Sequence, residues 1–303
     1  MDKITKECID CLIIGAGPAG IAAAIYLARF RRKFMIFDCD ESRALCIPRS
    51  HNYPAFLKGI TGPDLLKRLK NQLKTYGIKI IREKINTLDL VASHQFIASS
   101  TNITVRAKNV LLATGVEDIE PSLPHIDHAV RRGLVRHCPI CDGYEVIDKK
   151  IAIISQGKAG LGEALFMRHY SPDITFITEE KVTNYTKKEL QQIQEAGIKL
   201  IEAPILQIDL KDERITALHF SDAPYEFDTI YSALGSIKKS KLALDLGAAH
   251  KKGDIIVDAH QQTSIAGLYA AGDIVSGLNQ ICVAQGQAAI ASVAIHNDCP
   301  PLF

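Results

Sequence analysis

The chain has 303 residues, long enough for two domains of ordinary size with ample core. Lys and Arg total 36 against 34 Asp and Glu, so no basic excess draws nucleic acid and no polybasic run holds a membrane surface. Eight scattered cysteines are too few for a secreted disulfide framework, and the expected compartment is the cytoplasm.

Residues 11–28 carry no charge and are followed by Arg29, Arg31, Arg32 and Lys33. The length approaches the ~20 residues that span a bilayer. A signal peptide would carry its cations before the apolar run, and Gly15, Gly17, Pro18 and Gly20 interrupt it where a spanning helix is continuous. The run reads instead as a strand over 11–14, a G-x-G-x-x-G turn from Gly15 through Gly17, Pro18 and Ala19 to Gly20, and a helix over 21–30. The glycines permit a tight turn and close approach of backbone to a pyrophosphate, whose charge suits the helix start. A second strand over 33–37 ends at Asp38, 23 residues after Gly15, where a carboxylate would accept the ribose hydroxyls. A dinucleotide site is expected here.

Asn52-Tyr53-Pro54 and the run 59–66 follow, then a strand over 109–112 leading into Ala113-Thr114-Gly115. Next come His137-Cys138-Pro139-Ile140-Cys141-Asp142-Gly143. A Cys-x-x-Cys pair suits either reversible thiol–disulfide chemistry or half a zinc site. The other cysteines supply no second close pair of suitable context, which favours redox chemistry and no metal. His137 is placed to stabilise a neighbouring thiolate or shuttle a proton, and His125 and His128 read as exposed linker residues.

Residues 150–180 repeat the nucleotide pattern: a strand over 151–154, a turn, a helix over 160–170 and a strand over 174–178. The turn reads Ser155-Gln156-Gly157-Lys158-Ala159-Gly160, and a positive φ at Ser155 would be strained. Thr178-Glu179-Glu180 ends the unit, with Glu179 lying 22 residues after Gly157, where an acid would accept ribose hydroxyls. The polar stretch 235–240 reads as a flexible hinge. A short apolar strand then ends at Gly272-Asp273, before an apolar helix over 280–296.

This order of motifs resembles the low-molecular-weight thioredoxin reductase family along nearly the whole chain. The wording from His137 to Glu145 resembles its branch that includes the gliotoxin-type dithiol oxidases. The resemblance implies an α/β, two-dinucleotide flavoprotein fold: two Rossmann-like three-layer domains, the second inserted in the first. The FAD domain would comprise 1–117 and 242–303, and the insert 118–241 would carry the cysteines and the pyridine-nucleotide fold. By the same resemblance FAD would lie on Gly15, Gly17, Pro18, Ala19, Gly20, Asp38, Asn52, Thr114, Gly115, Gly272, Asp273, Gln280 and Ile281. Cys141 would face the flavin, Cys138 would be the outward nucleophile and Asp142 would handle the proton. The implied activity is disulfide reduction on thioredoxin or a thioredoxin-like protein, by a homodimer whose nucleotide domain rotates on connections near 116–121 and 235–242.

Two departures bear on the electron donor. The family's His-Arg-Arg grip on the NADPH 2′-phosphate is replaced by Thr178-Glu179-Glu180, and its Arg-Gln-Ala near the flavin by Asn279-Gln280-Ile281. A carboxylate about 4 Å from a phosphate charge opposes binding by roughly 1 to 4 kcal/mol. NADPH is therefore disfavoured. The residues are compatible with NADH on Gly157, Gly160 and Glu179, with weak NADPH use, or with a ferredoxin-type carrier and no pyridine nucleotide. Two rival activities use the same cysteines: a dithiol oxidase passing electrons to oxygen, and a flavin redox sensor without turnover.

Overall fold

The computed structural model describes residues 3–124, 126–178, 184–211 and 214–301. The chain forms two compact units, 1–45 with 62–117 and 238–303, and 46–61 with 118–237. The expected insert and the second unit share 118–237. Residues 46–61, expected with the first domain, group with the second unit.

The first unit opens with β1 (Lys3–Ile14), α1 (Pro18–Arg29) and β2 (Phe34–Phe37). It continues through α2 (Gly62–Lys74), β3 (Ile80–Ile81), β4 (Thr87–Ala92), β5 (Gln95–Ser99) and β6 (Ile103–Leu112). β1 pairs in parallel with β2 and β6, setting Leu12 beside Met35 and Val110. Its end is apolar on both faces because both faces are covered. Pro18 at the first helical position supplies a preset φ and lacks an N–H that would have no partner there.

A short β7 (Val116–Asp118) leads to α3 (Ile126–Arg131), β8 (Val135–Arg136), the one-turn α4 (Pro139–Asp142) and β9 (Ile151–Ser155). Then follow α5 (Leu161–Met167), β10 (Ile174–Thr178), α6 (Lys187–Glu195) and β11 (Lys199–Glu202). β12 (Gln207–Lys211), β13 (Arg214–His219) and β14 (Pro224–Tyr225) precede β15 (Thr229–Ala233). The second unit's main sheet is parallel throughout, in the order β11-β10-β9-β15-β8. Every residue of β9, β10 and β15 is buried. Ala152, Ile154 and Ile230 pack with Ile208, Leu218 and Phe220 of the antiparallel β12-β13-β14 layer. Ile151, Ile153 and Phe176 turn to the other face, against Leu161, Met167 and Ile193 of α5 and α6. Three layers result.

The chain returns through β16 (Ser236–Lys238), α7 (Lys241–Asp245), the hairpin β17 (His250–Lys251) and β18 (Asp254–Ile255), β19 (Leu268–Ala270) and α8 (Ile281–Asp298). Within the stretch read as a hinge, Ser236–Lys238 is a strand, and β16 pairs with β7 as a two-stranded ribbon. β19 joins β6 in parallel and completes the first sheet, ordered β3-β2-β1-β6-β5-β4. Leu12, Ile14, Val110, Leu112 and Leu268 share one core with Leu242, Ile255 and Ile274, while α1 packs with α8.

Candidate active site

The first glycine turn is shaped by contacts that exclude side chains. Gly15 has φ of +103°, and a Cβ there would lie 2.3 Å from the Ala113 carbonyl oxygen. A Cβ on Gly20 would meet the Gly15 carbonyl oxygen at 1.8 Å, so α1 can sit on the turn only with glycine at that position. Gly17 is the extended N-cap of α1, and no side chain caps the helix. Its first-turn N–H groups have no intrahelical partner. Asp38, buried at the end of β2, accepts the Ala16 N–H at 2.9 Å and the Asp40 N–H at 3.2 Å, so it pins the turn from below.

The remaining predicted FAD residues of this unit come from three other segments. Thr114 donates its hydroxyl to the Lys239 carbonyl at 2.6 Å, and Gly115 follows with φ of +67°. Gly272 donates its N–H to Gln287 at 2.8 Å. Asp273 pairs with Arg43 at 3.1 Å, and its carbonyl accepts from Lys238 at 3.3 Å. Gln280 is the N-cap of α8 and Ile281 its first residue. An uncapped helix start beside a glycine cradle, with two cations near Asp273, fits the pyrophosphate and ribityl chemistry of FAD. Arg43 was not singled out from sequence, where its only signal is a place five residues after Asp38. Asn52 lies in the second unit, its amide donating to the Ile140 carbonyl at 3.5 Å.

Cys138 and Cys141 form a disulfide with their Cα atoms 5.2 Å apart. Cys138 is the N-cap of α4, Pro139 opens the helix, and the Cys141 N–H donates to the Cys138 carbonyl at 2.9 Å. The four-residue spacing closes this ring because one helical turn brings the two positions together. His137, nearly buried, places Nε2 at 2.9 and 3.0 Å from the two Glu120 carboxylate oxygens. Asp142 is held at 2.9 Å by Arg136 and at 2.8 Å by the Tyr231 hydroxyl. Burial pushes the Asp142 carboxyl above its usual range, against the pull of Arg136 and Tyr231. Nearby, Glu163 keeps a buried Oε2 without a hydrogen-bond partner. Burial raises its pKa to about 7, opposed by the charge of His137 and assisted by that of Asp118. Glu120, Arg136, Glu163 and Tyr231 were not singled out from sequence. Arg136 adjoins the motif, but no spacing marks the others.

The second turn corrects one expectation. Ser155 is the last residue of β9 and is absent from the positive-φ positions, so it carries no strain. The left-handed residue is Gly157, with φ of +61°. Ser155 accepts the Gly160 N–H at 2.8 Å, and a 3-10 turn over Gly157–Gly160 precedes α5. The helix that follows, Leu161–Met167, starts one residue later and ends three residues earlier than the expected 160–170. Glu179 and Glu180 lie outside the described residues, as does His125, while His128 is exposed on α3. Among the described residues, no group of three or more His, Cys, Asp and Glu side chains is arranged to hold a metal ion, and no helix is long and apolar enough to cross a membrane.

The family described as Pyridine nucleotide-disulphide oxidoreductase matches residues 9–288. A thioredoxin reductase of Streptomyces coelicolor is 28% identical over 280 residues, covering 88% of this chain and 86% of that one. A thioredoxin reductase of Peptoclostridium acidaminophilum is 27% identical over 303 residues, covering 93% and 94%. The fold matches the crystal structure of thioredoxin reductase from Streptococcus pyogenes with a TM-score of 0.90 at 23% identity, covering 97% of this chain and 98% of that one.

Proposed function

The chain belongs to the pyridine nucleotide-disulphide oxidoreductase family, and on that premise we propose that this oxidoreductase reduces the disulfide of thioredoxin or a thioredoxin-like protein through Cys138 and Cys141. The observation that carries the reading is the Cys138–Cys141 ring in one helical turn, flanked by the His137–Glu120 pair and by Asp142 on Arg136 and Tyr231. Thioredoxin reductases among its relatives support the choice of partner.

FAD, which the family would combine with a nicotinamide nucleotide, would when bound supply the electron pair for opening the ring. Gly15, Gly17, Gly20, Asp38, Thr114, Gly115, Gly272 and Asp273 would hold it. With the ring opened, the Cys138 thiolate attacks one sulfur of the substrate disulfide, and the other substrate sulfur leaves as a thiolate. The Cys141 thiolate then attacks Cys138 Sγ, re-forming the ring and releasing the second substrate thiolate. Two protons leave the enzyme thiols and two are taken up by the products. Asp142, whose burial favours the protonated form, would carry one of them at a carboxylate oxygen. His137, fixed by Glu120, would present its ring beside Cys138 as the thiolate forms.

The setting we assign is a cytoplasmic homodimer with NADPH disfavoured as donor. The replacement of a cationic 2′-phosphate grip by Thr178-Glu179-Glu180 supports that choice, and NADH or a ferredoxin-type carrier would take its place. The test is stoichiometric reduction of oxidised thioredoxin by chemically pre-reduced protein. Cys138→Ser should abolish reduction while FAD stays bound. Cys141→Ser should trap a mixed disulfide, visible as a mass adduct. Turnover by Cys138→Ser would overturn the assignment.

A further inference from the structure

The second glycine turn differs from the first in where its backbone donors go. In the first, Asp38 accepts the Ala16 N–H, while the N-cap Gly17 is extended, α1 begins at once, and no side chain caps it. In the second, Gly157 is left-handed, and the 3-10 turn delays α5, which then runs for only seven residues. The Gly157 N–H donates to Thr178 Oγ1 at 3.2 Å and the Gly160 N–H to Ser155 Oγ at 2.8 Å. The Ser155 hydroxyl donates in turn to the Gly157 carbonyl at 3.1 Å, which closes the loop on itself. Ser155 and Thr178 are both buried.

A dinucleotide pyrophosphate is held by turn and helix-start N–H groups aimed at the ligand. Here two of those donors are satisfied within the protein by buried hydroxyls. A phosphate entering the turn would have to draw those two N–H groups away from the hydroxyls that already accept them, so each hydrogen bond it gains there replaces one already made. Gly160 is explained without any ligand. A Cβ there would lie 2.7 Å from both Ser155 Oγ and Ala233 Cβ, so inward packing alone demands glycine.

We propose that the second glycine turn is closed to pyridine nucleotides, NADH as well as NADPH, and that Ser155 is the residue that closes it. The second fold then serves to carry the dithiol, and electrons reach the first site from a donor with no nucleotide to dock. The inference rests on the reading of the chain as an FAD–dithiol enzyme.

The test uses the FAD-loaded full chain without oxygen. NADH and NADPH, each at about 1 mM, the upper end of ordinary Michaelis constants, should bleach the flavin no faster than buffer alone. Equilibrium dialysis should show no retention of NAD⁺ or NADP⁺. Ser155→Gly frees the Gly160 N–H and should raise retention of at least one nucleotide by about tenfold, the worth of one charge-assisted hydrogen bond. Saturable bleaching or stoichiometric retention by the unaltered protein would overturn the closed turn. No gain with Ser155→Gly would overturn the role given to that residue. A parallel sample receives dithiothreitol, which becomes a cyclic disulfide as the flavin takes its two electrons through Cys138 and Cys141. Failure of that bleaching would remove the disulfide-reductase reading, whatever the nucleotides do.

Discussion

Beside the cysteine ring, Asp142 and His137 are tightly paired, whereas Glu163 is not fully satisfied. One of its carboxylate oxygens is buried without a partner, and the groups facing it are His137 and Asp118. Its pKa rises from an ordinary 4.5 to about 7 in the folded chain. Between those values the folded state binds more protons than the unfolded state, so this group's contribution to stability falls as pH rises through the window. The penalty is complete above pH 7 and absent below 4.5. Glu163→Gln removes it. The variant should gain on the order of 1–2 kcal/mol over the unaltered protein at high pH, a figure discounted for the side chain's partial exposure. Urea midpoints of the two proteins should converge in acid and separate in base. A gap independent of pH would mean that Glu163 is ionised throughout.

At the scale of elements, the contact of α1 with its turn decides whether the first site exists. Gly20→Ala would drive a methyl into the Gly15 carbonyl, and backbone cannot yield as a flexible side chain can. We expect a loss of about 1–3 kcal/mol, typical of overpacking, together with loss of bound FAD. Gly286→Ala is the matched control, because nothing lies within 4 Å of a Cβ there and the position is exposed in the interior of α8. It should stabilise by ~0.5–1 kcal/mol through helix propensity alone. Denaturation midpoints and flavin absorbance after gel filtration separate the two outcomes. Equal effects would mean that the turn tolerates a side chain. The turn itself was legible in sequence, because its glycines, Pro18 and Asp38 stand at spacings imposed by local geometry. The closed second turn was not. A serine at a glycine position reads as a defect until its hydroxyl is seen to accept from Gly160.

Across the whole molecule, the residues expected to hold FAD are split between the two compact units only by Asn52. The others come from three stretches of the first unit that are separate in sequence, so bound FAD should tie those stretches together. A ligand that binds only the folded state stabilises by mass action, ~2.7 kcal/mol at a free concentration of 100 Kd. Stripping the flavin should therefore lower the melting temperature, and adding FAD back should restore it in a concentration-dependent way. Calorimetric traces identical with and without FAD would refute the first site.

The α/β class, the two nucleotide-type units and the closeness of Cys138 and Cys141 could be read from residue order alone, because those depend on patterns within one strand, turn or helix. Apolar runs of strand length, glycine spacing and Cys-x-x-Cys closure are all set by local backbone geometry. Which side chains surround the pair becomes visible only once the chain is folded. Glu120, Glu163 and Tyr231 reach His137 and Asp142 from distant positions, with Tyr231 lying 89 residues beyond Asp142. The folded chain also groups residues 46–61 with the dithiol unit and pairs β7 with β16. These arrangements arise when sheets stack and strands find partners far along the chain, and no local period records such a partner.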